Sequence, residues 1–93
     1  MNDRLEFSID GVKRAAEEMR ESNSLNKKNK EAFLEYIDSK LSPEWNTKEG
    51  QVAVGELRNF ANTKFQDYIT YLDEKIDALE NVVVPALERI NNA

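Results

Sequence analysis

The chain lacks cysteine and histidine altogether. Without cysteine there is no disulfide staple and no thiolate metal site. Without histidine it has neither the usual general base near neutral pH nor the commonest metal ligand. Long apolar runs are also missing; no stretch approaches the ~20 residues a membrane span needs. The opening "MNDRLEFSIDG" has no apolar core of a signal peptide, so no Sec-type leader and no membrane insertion are expected. Basic charge is in deficit, with 13 Lys+Arg against 18 Asp+Glu. That balance speaks against nucleic acid, where affinity comes mainly from Lys and Arg on phosphates. Its one basic cluster, "NKKNK" (Asn26–Lys30), reads as a solvated helix face. Proline, glycine and tryptophan are scarce, at two, three and one residues.

What is present is helical periodicity. A 93-residue chain implies one small domain, expected over 1–93. The first helix is expected over about 9–41, on a stripe of Ile9, Val12, Ala16, Met19, Leu25, Ala32, Phe33, Tyr36, Ile37 and Leu41. Ser8 or Asp10 can cap its start, with Phe7 packing back as a staple. Its middle, "RESNSLNKKNKE", is thin in apolar residues and open to fraying or a break. The second helix is expected over about 47–91. Its stripe is Leu57, Ala61, Phe65, Tyr68, Leu72, Ile76, Leu79, Val83, Leu87 and Ile90, a coiled-coil-like seam widened by Phe60, Ile69, Tyr71, Val82 and Val84. Pro85 predicts a kink or an early helix end. The fold class is therefore all-α: an antiparallel two-helix hairpin. Its spare apolar flank is expected to be covered by forming a four-helix bundle as a dimer.

Between the helices lies a turn over 42–46, within "SPEWNTKEG". Ser42-Pro43 is expected to stop the first helix. Asn46 or Thr47 starts the second, with Glu49 completing a capping box from Asn46. Trp45 has two readings: a plug over the end of the bundle, or part of a recognition surface. Gly50 costs up to ~1 kcal/mol in a helix, which is justified if it gives a ring or a backbone close approach. Gly55 either does the same between helices or is simply tolerated.

The length, two helices, acidic balance, missing cysteine and central Trp45/Gly50 turn, followed by "QVAVGELRNFANTKF", resemble the WXG superfamily. These are the small ESAT-like helical-hairpin proteins of bacterial type VII secretion. The turn is divergent: Thr47 stands where the name-giving glycine would be, giving Trp-x-Thr-x-x-Gly. The family's Tyr-x-x-x-Asp/Glu export signal is missing, since Lys40, Leu72 and Lys75 follow Tyr36, Tyr68 and Tyr71 by four. The resemblance implies a non-catalytic, cofactor-free protein, cytoplasmic before export and then secreted or on the cell surface. It would pair with itself, with another hairpin protein, or with the helical domain of a larger LXG-type effector that supplies the export signal. Turn recognition would fall to Trp45, Thr47 and Gly50. Partner anchors would be Phe60, Phe65, Tyr68, Tyr71 and Leu72, with core the more natural role for Phe65, Tyr68 and Leu72. The alternative is an acidic helical immunity protein or antitoxin binding a toxin. An enzyme is not expected: pairs such as Glu17/Glu18 and Asp73/Glu74 lie among polar residues, with no histidine to complete a metal bundle.

Overall fold

A computed structural model describes residues Asn2–Asn92, with side chains from Ile9 onward. The side chains of Phe7 and Ser8 lie outside the described residues. The chain is all-helical, with two long helical arms and no strand among the described residues. In the first arm, α1 (Asn2–Tyr36) passes through a π turn (Ile37–Leu41) into α2 (Ser42–Glu44). In the second, α3 (Lys48–Phe60), a π turn (Ala61–Phe65), α4 (Gln66–Ala78), a π turn (Leu79–Val83) and α5 (Val84–Asn92) follow one another.

Several boundaries differ from expectation. The first arm begins at Asn2, so Asp10 caps nothing. It also runs on to Glu44 rather than stopping at Ser42. Ser42 is helical, at φ −58°, ψ −46°. Pro43 is accommodated because the turn before it is wide. A proline ring normally strikes the carbonyl four residues back, here that of Ser39. Ser39 sits at the centre of the π turn, and the Ser42 N–H reaches past it to donate to the Ile37 carbonyl. The arrangement recurs at Pro85, whose opposing carbonyl belongs to Asn81 at the centre of another π turn. There the Val84 N–H donates to the Leu79 carbonyl, and the helix continues to Asn92.

The centres of all three π turns share one more feature. Each is a polar side chain bonding four residues back: Ser39 Oγ donates to the Glu35 carbonyl, Thr63 Oγ1 to the Asn59 carbonyl, and Asn81 Nδ2 to Asp77 Oδ1, at 2.7, 2.7 and 2.6 Å. The hydroxyls of Ser39 and Thr63, bonded to backbone carbonyls, compete with the helical ladder and bend it, whereas Asn81 bonds a side chain.

The chain divides into two compact units, Met1–Asn23 with Tyr71–Ala93, and Ser24–Thr70. In the first unit, α1 buries Ile9, Ala16 and Asn23, while the second arm buries Ile76 and Val84. Its segments are antiparallel, since Asn23, Arg20 and Lys13 meet Asp73, Glu80 and Glu88 in turn. Asn23 Nδ2 donates to Asp73 Oδ1 at 2.8 Å, Arg20 pairs with Glu80, and Lys13 Nζ lies 3.9 Å from Glu88 Oε1. A polar residue in a heptad seam costs stability but specifies register. Asn23 has that position, in the stretch expected to fray.

The second unit is a hairpin that includes the turn. Its core is Ile37, Val54, Ala61 and Ile69, with Gly50 buried at the turn. Lys30, seven residues before Ile37, donates from Nζ to Gln66 Oε1 at 2.5 Å. Asp38 Oδ1 accepts from Arg58 Nη2 at 2.6 Å and Nε at 3.2 Å.

The π turns explain which residues are buried. On α1 the core positions of the first unit are seven apart, Ile9, Ala16 and Asn23. On the second arm, Val54 to Ala61 is a step of seven, but Ala61 to Ile69 and Ile76 to Val84 are steps of eight. Each eight-residue step spans a π turn, which absorbs one residue and returns the next core side chain to the same face. Seven of the ten residues of the expected stripe face inward, and three do not. Ala61 and Ile76 are buried and Leu57, Phe65, Leu72, Leu79 and Leu87 half-buried. Tyr68, Val83 and Ile90, placed on the seam by regular spacing, are exposed; Ile69 and Val84, next to the first two, are in the core.

Candidate recognition surfaces

The hairpin turn has a definite construction. Thr47 is the N-cap of α3, extended at φ −112°, ψ 164°, and its Oγ1 accepts from the Gly50 N–H at 2.9 Å. With Thr47 as cap the third helical position is Gly50, so the expected Asn46–Glu49 capping box does not form; Glu49 remains in the first turn, where its charge suits the helix dipole. The Trp45 N–H closes the end of α2 by donating to the Leu41 carbonyl at 2.9 Å. Gly50 lies directly under Trp45. A Cβ at this position would stand 2.5 Å from the Trp45 carbonyl oxygen and 2.6 Å from Cγ, with Cδ1 closer still. Glycine is therefore required by close approach, as the sequence suggested. Gly55 has open space around it, so it provides no clearance between helices.

Gln51, which sequence reading passed over, ties the turn together. Its Nε2 donates to the carbonyls of Ser42 at 3.1 Å and Trp45 at 3.0 Å, and Ser42 Oγ donates to its Oε1 at 3.3 Å. No sequence signal distinguishes this glutamine from a solvated one. Trp45 itself is 43% exposed, one side of its indole resting on Gly50 and the other open.

The second candidate surface follows from the helix geometry. Both arms are right-handed helices running in opposite directions. Residues just before the core positions therefore lie on one side of the pair, and residues just after them on the other. In the hairpin unit, Phe33 and Tyr36 precede Ile37 by four and one, Leu57 and Phe60 precede Ala61, and Phe65 and Tyr68 precede Ile69. This side carries five of the eight aromatic residues. Phe33, Leu57 and Phe65 are half-buried, and Tyr36, Phe60 and Tyr68 are 56%, 49% and 51% exposed. The opposite side holds the Asp38–Arg58 ion pair and the Lys30–Gln66 bond.

The other unit has the same two-sided character. Val12 and Met19 precede Ala16 and Asn23, Leu72 precedes Ile76, and Val83 precedes Val84. The ion pairs Lys13–Glu88 and Arg20–Glu80 lie on the reverse side. Leu72 is half-buried, whereas Tyr71 is exposed, its ring 5.2 Å from Lys75 Nζ. Trp45, Thr47 and Gly50 are thus one structural cluster, and Phe60, Phe65 and Tyr68 share one side of the hairpin unit. Tyr71 and Leu72 belong to the other unit.

Among the described residues no group of three or more His, Cys, Asp or Glu is arranged to hold a metal ion, and no helix is long and apolar enough to cross a membrane. No family model matches this chain, and no curated protein or solved structure does either.

Proposed function

We propose that this chain is a non-catalytic, ESAT-like pairing protein of a type VII secretion pathway. It works by assembly: its apolar side packs on helices of a second hairpin or of a larger LXG-type effector, and the joint product is what the machinery recognises. One observation carries this reading: in each unit the ion pairs lie on one side and a row of half-buried and exposed apolar side chains on the other. Burying those side chains needs a partner helix.

The secretion part of the reading is supported by the turn. A half-exposed indole resting on Gly50, with the Trp45 carbonyl held by Gln51, is an aromatic landmark on a tied turn, and aromatic side chains suit recognition because they bury much area at low entropic cost. The test is export from the native host. Trp45→Ala is expected to leave helicity and pairing intact and to abolish export of the protein or its effector. Undiminished export by a folded Trp45→Ala variant would sink the secretion reading.

A further inference from the structure

We propose that the two units open in a fixed order: the unit of Met1–Asn23 with Tyr71–Ala93 comes apart first, while Ser24–Thr70, which holds the Trp45 turn, stays folded. The first unit is a latch, and it works whatever partner the chain takes.

Chain connectivity sets the order. Within this chain the two segments of the first unit are joined only through Ser24–Thr70. With that connection unfolded, bringing them together means closing a long flexible loop, whose entropic cost grows with length. Each segment alone is a helix without a packing partner, which is marginal in water. The second unit has no such dependence. Its arms are joined by the short stretch between α2, ending at Glu44, and α3, starting at Lys48. That turn is tied by bonds of its own: Thr47 Oγ1 accepts from the Gly50 N–H, and Gln51 Nε2 donates to the Ser42 and Trp45 carbonyls.

The core along α1 is divided to match. Ile9, Ala16, Asn23, Lys30 and Ile37 follow one another at steps of seven, and the middle two of these with polar side chains interrupt the apolar row. Asn23, 1% exposed, donates to Asp73 in the first unit, and Lys30 donates to Gln66 in the second. Apolar burial on this arm therefore falls into two groups, Ile9 with Ala16 and Ile37 alone. Asn23 and Asp73 regain hydrogen bonds from water when they separate, whereas buried apolar side chains gain nothing of the kind. Opening of the first unit thus has a natural stopping point on α1. It frees Ile9, Ala16, Ile76 and Val84, and a protein that binds the freed segments shifts the equilibrium toward the open form. The Trp45 turn is presented unchanged in both forms.

Two buried alanines provide the test on the full chain: Ala16, 1% exposed, in the first unit and Ala61, 0% exposed, in the second. Ala16→Asp and Ala61→Asp each place an unpaired charge in a core. Circular dichroism, Trp45 emission and amide hydrogen exchange read the result. Ala16→Asp is expected to lose the helical signal of its own unit and to keep Trp45 emission and protection at Val54. Ala61→Asp is expected to lose both units. In the wild type, protection at Ala16 and Ile76 should lie about tenfold or more below that at Val54 and Ile69. Ile69→Val supplies a milder variant. It should lower protection in the second unit by about two- to tenfold and leave the first unit unchanged, because the half-open form keeps residue 69 packed. Equal protection in both wild-type units, or an equal loss in both from Ile69→Val, would overturn the latch by showing one cooperative unit. An Ala16→Asp chain that is wholly unfolded, or an Ala61→Asp chain whose first unit stays protected, would overturn the order.

Discussion

Deleting one residue from the middle of a helix normally rotates everything beyond it by about 100°. Asn62 should be an exception. It lies in the π turn Ala61–Phe65, which absorbs the extra residue of the eight-residue step from Ala61 to Ile69. Removing it leaves a seven-residue step, an ordinary α-helical interval, with Ile69 still on the core face. A control deletion of Thr70, within α4 (Gln66–Ala78), has no such slack. It would carry Asp77 and Pro85 into the places of Ile76 and Val84. Exposing those two side chains costs about 1.5–3 kcal/mol each, a large share of the 5–15 kcal/mol available to a small domain. At roughly 4 °C per kcal/mol or more, the melting midpoint should fall by about 12 °C or further. Thermal denaturation followed by circular dichroism separates the two: the Asn62 deletion is expected within a few degrees of wild type. Equal losses for the two deletions would refute the idea that the π turns set the phase of the core.

The glycines make a contrasting pair. Gly50→Ala forces a methyl group against the Trp45 carbonyl and ring, with an expected loss of about 1–3 kcal/mol and altered emission from the only tryptophan. Gly55→Ala meets nothing within 4 Å and should stabilise by up to ~1 kcal/mol through helix propensity; a loss there would mean the site is covered. Asn23→Ala removes the 2.8 Å bond to Asp73 from a position 1% exposed. A loss of about 1–3 kcal/mol in urea denaturation is expected, and a neutral result would argue against Asn23 as a register pin.

The sequence made the helices and their turn legible because apolar spacing and the scarcity of glycine and proline are strong local signals. Gly50 was legible too, since a helical glycine five residues after a lone tryptophan has a steric reason to be there. The end of the first arm was not. Pro43 is a stop signal only for a regular α-helix, and the π turn over Ile37–Leu41 removes the clash behind it. A constant helical pitch likewise put Tyr68 on the seam and Ile69 off it. Only the extra residue absorbed over Ala61–Phe65 reverses the two, making Tyr68 part of the exposed surface. In hindsight, a signal was present at two of the three π turns: a small polar residue, Ser39 or Asn81, four before a proline inside a helical stripe. Thr63 has no such marker.

Sedimentation equilibrium bears most directly on the pairing surface, comparing wild type with Phe60→Asp, alone and mixed with a helical effector domain. Phe60 is half-exposed, so the substitution should leave helicity unchanged. Wild type is expected at the mass of a two-chain complex, as a homodimer or with the effector domain, and the Phe60→Asp variant at the mass of one chain. A wild-type chain that stays at single-chain mass in both settings, or a Phe60→Asp variant that pairs as well as wild type, would contradict the assignment of the apolar side to helix pairing.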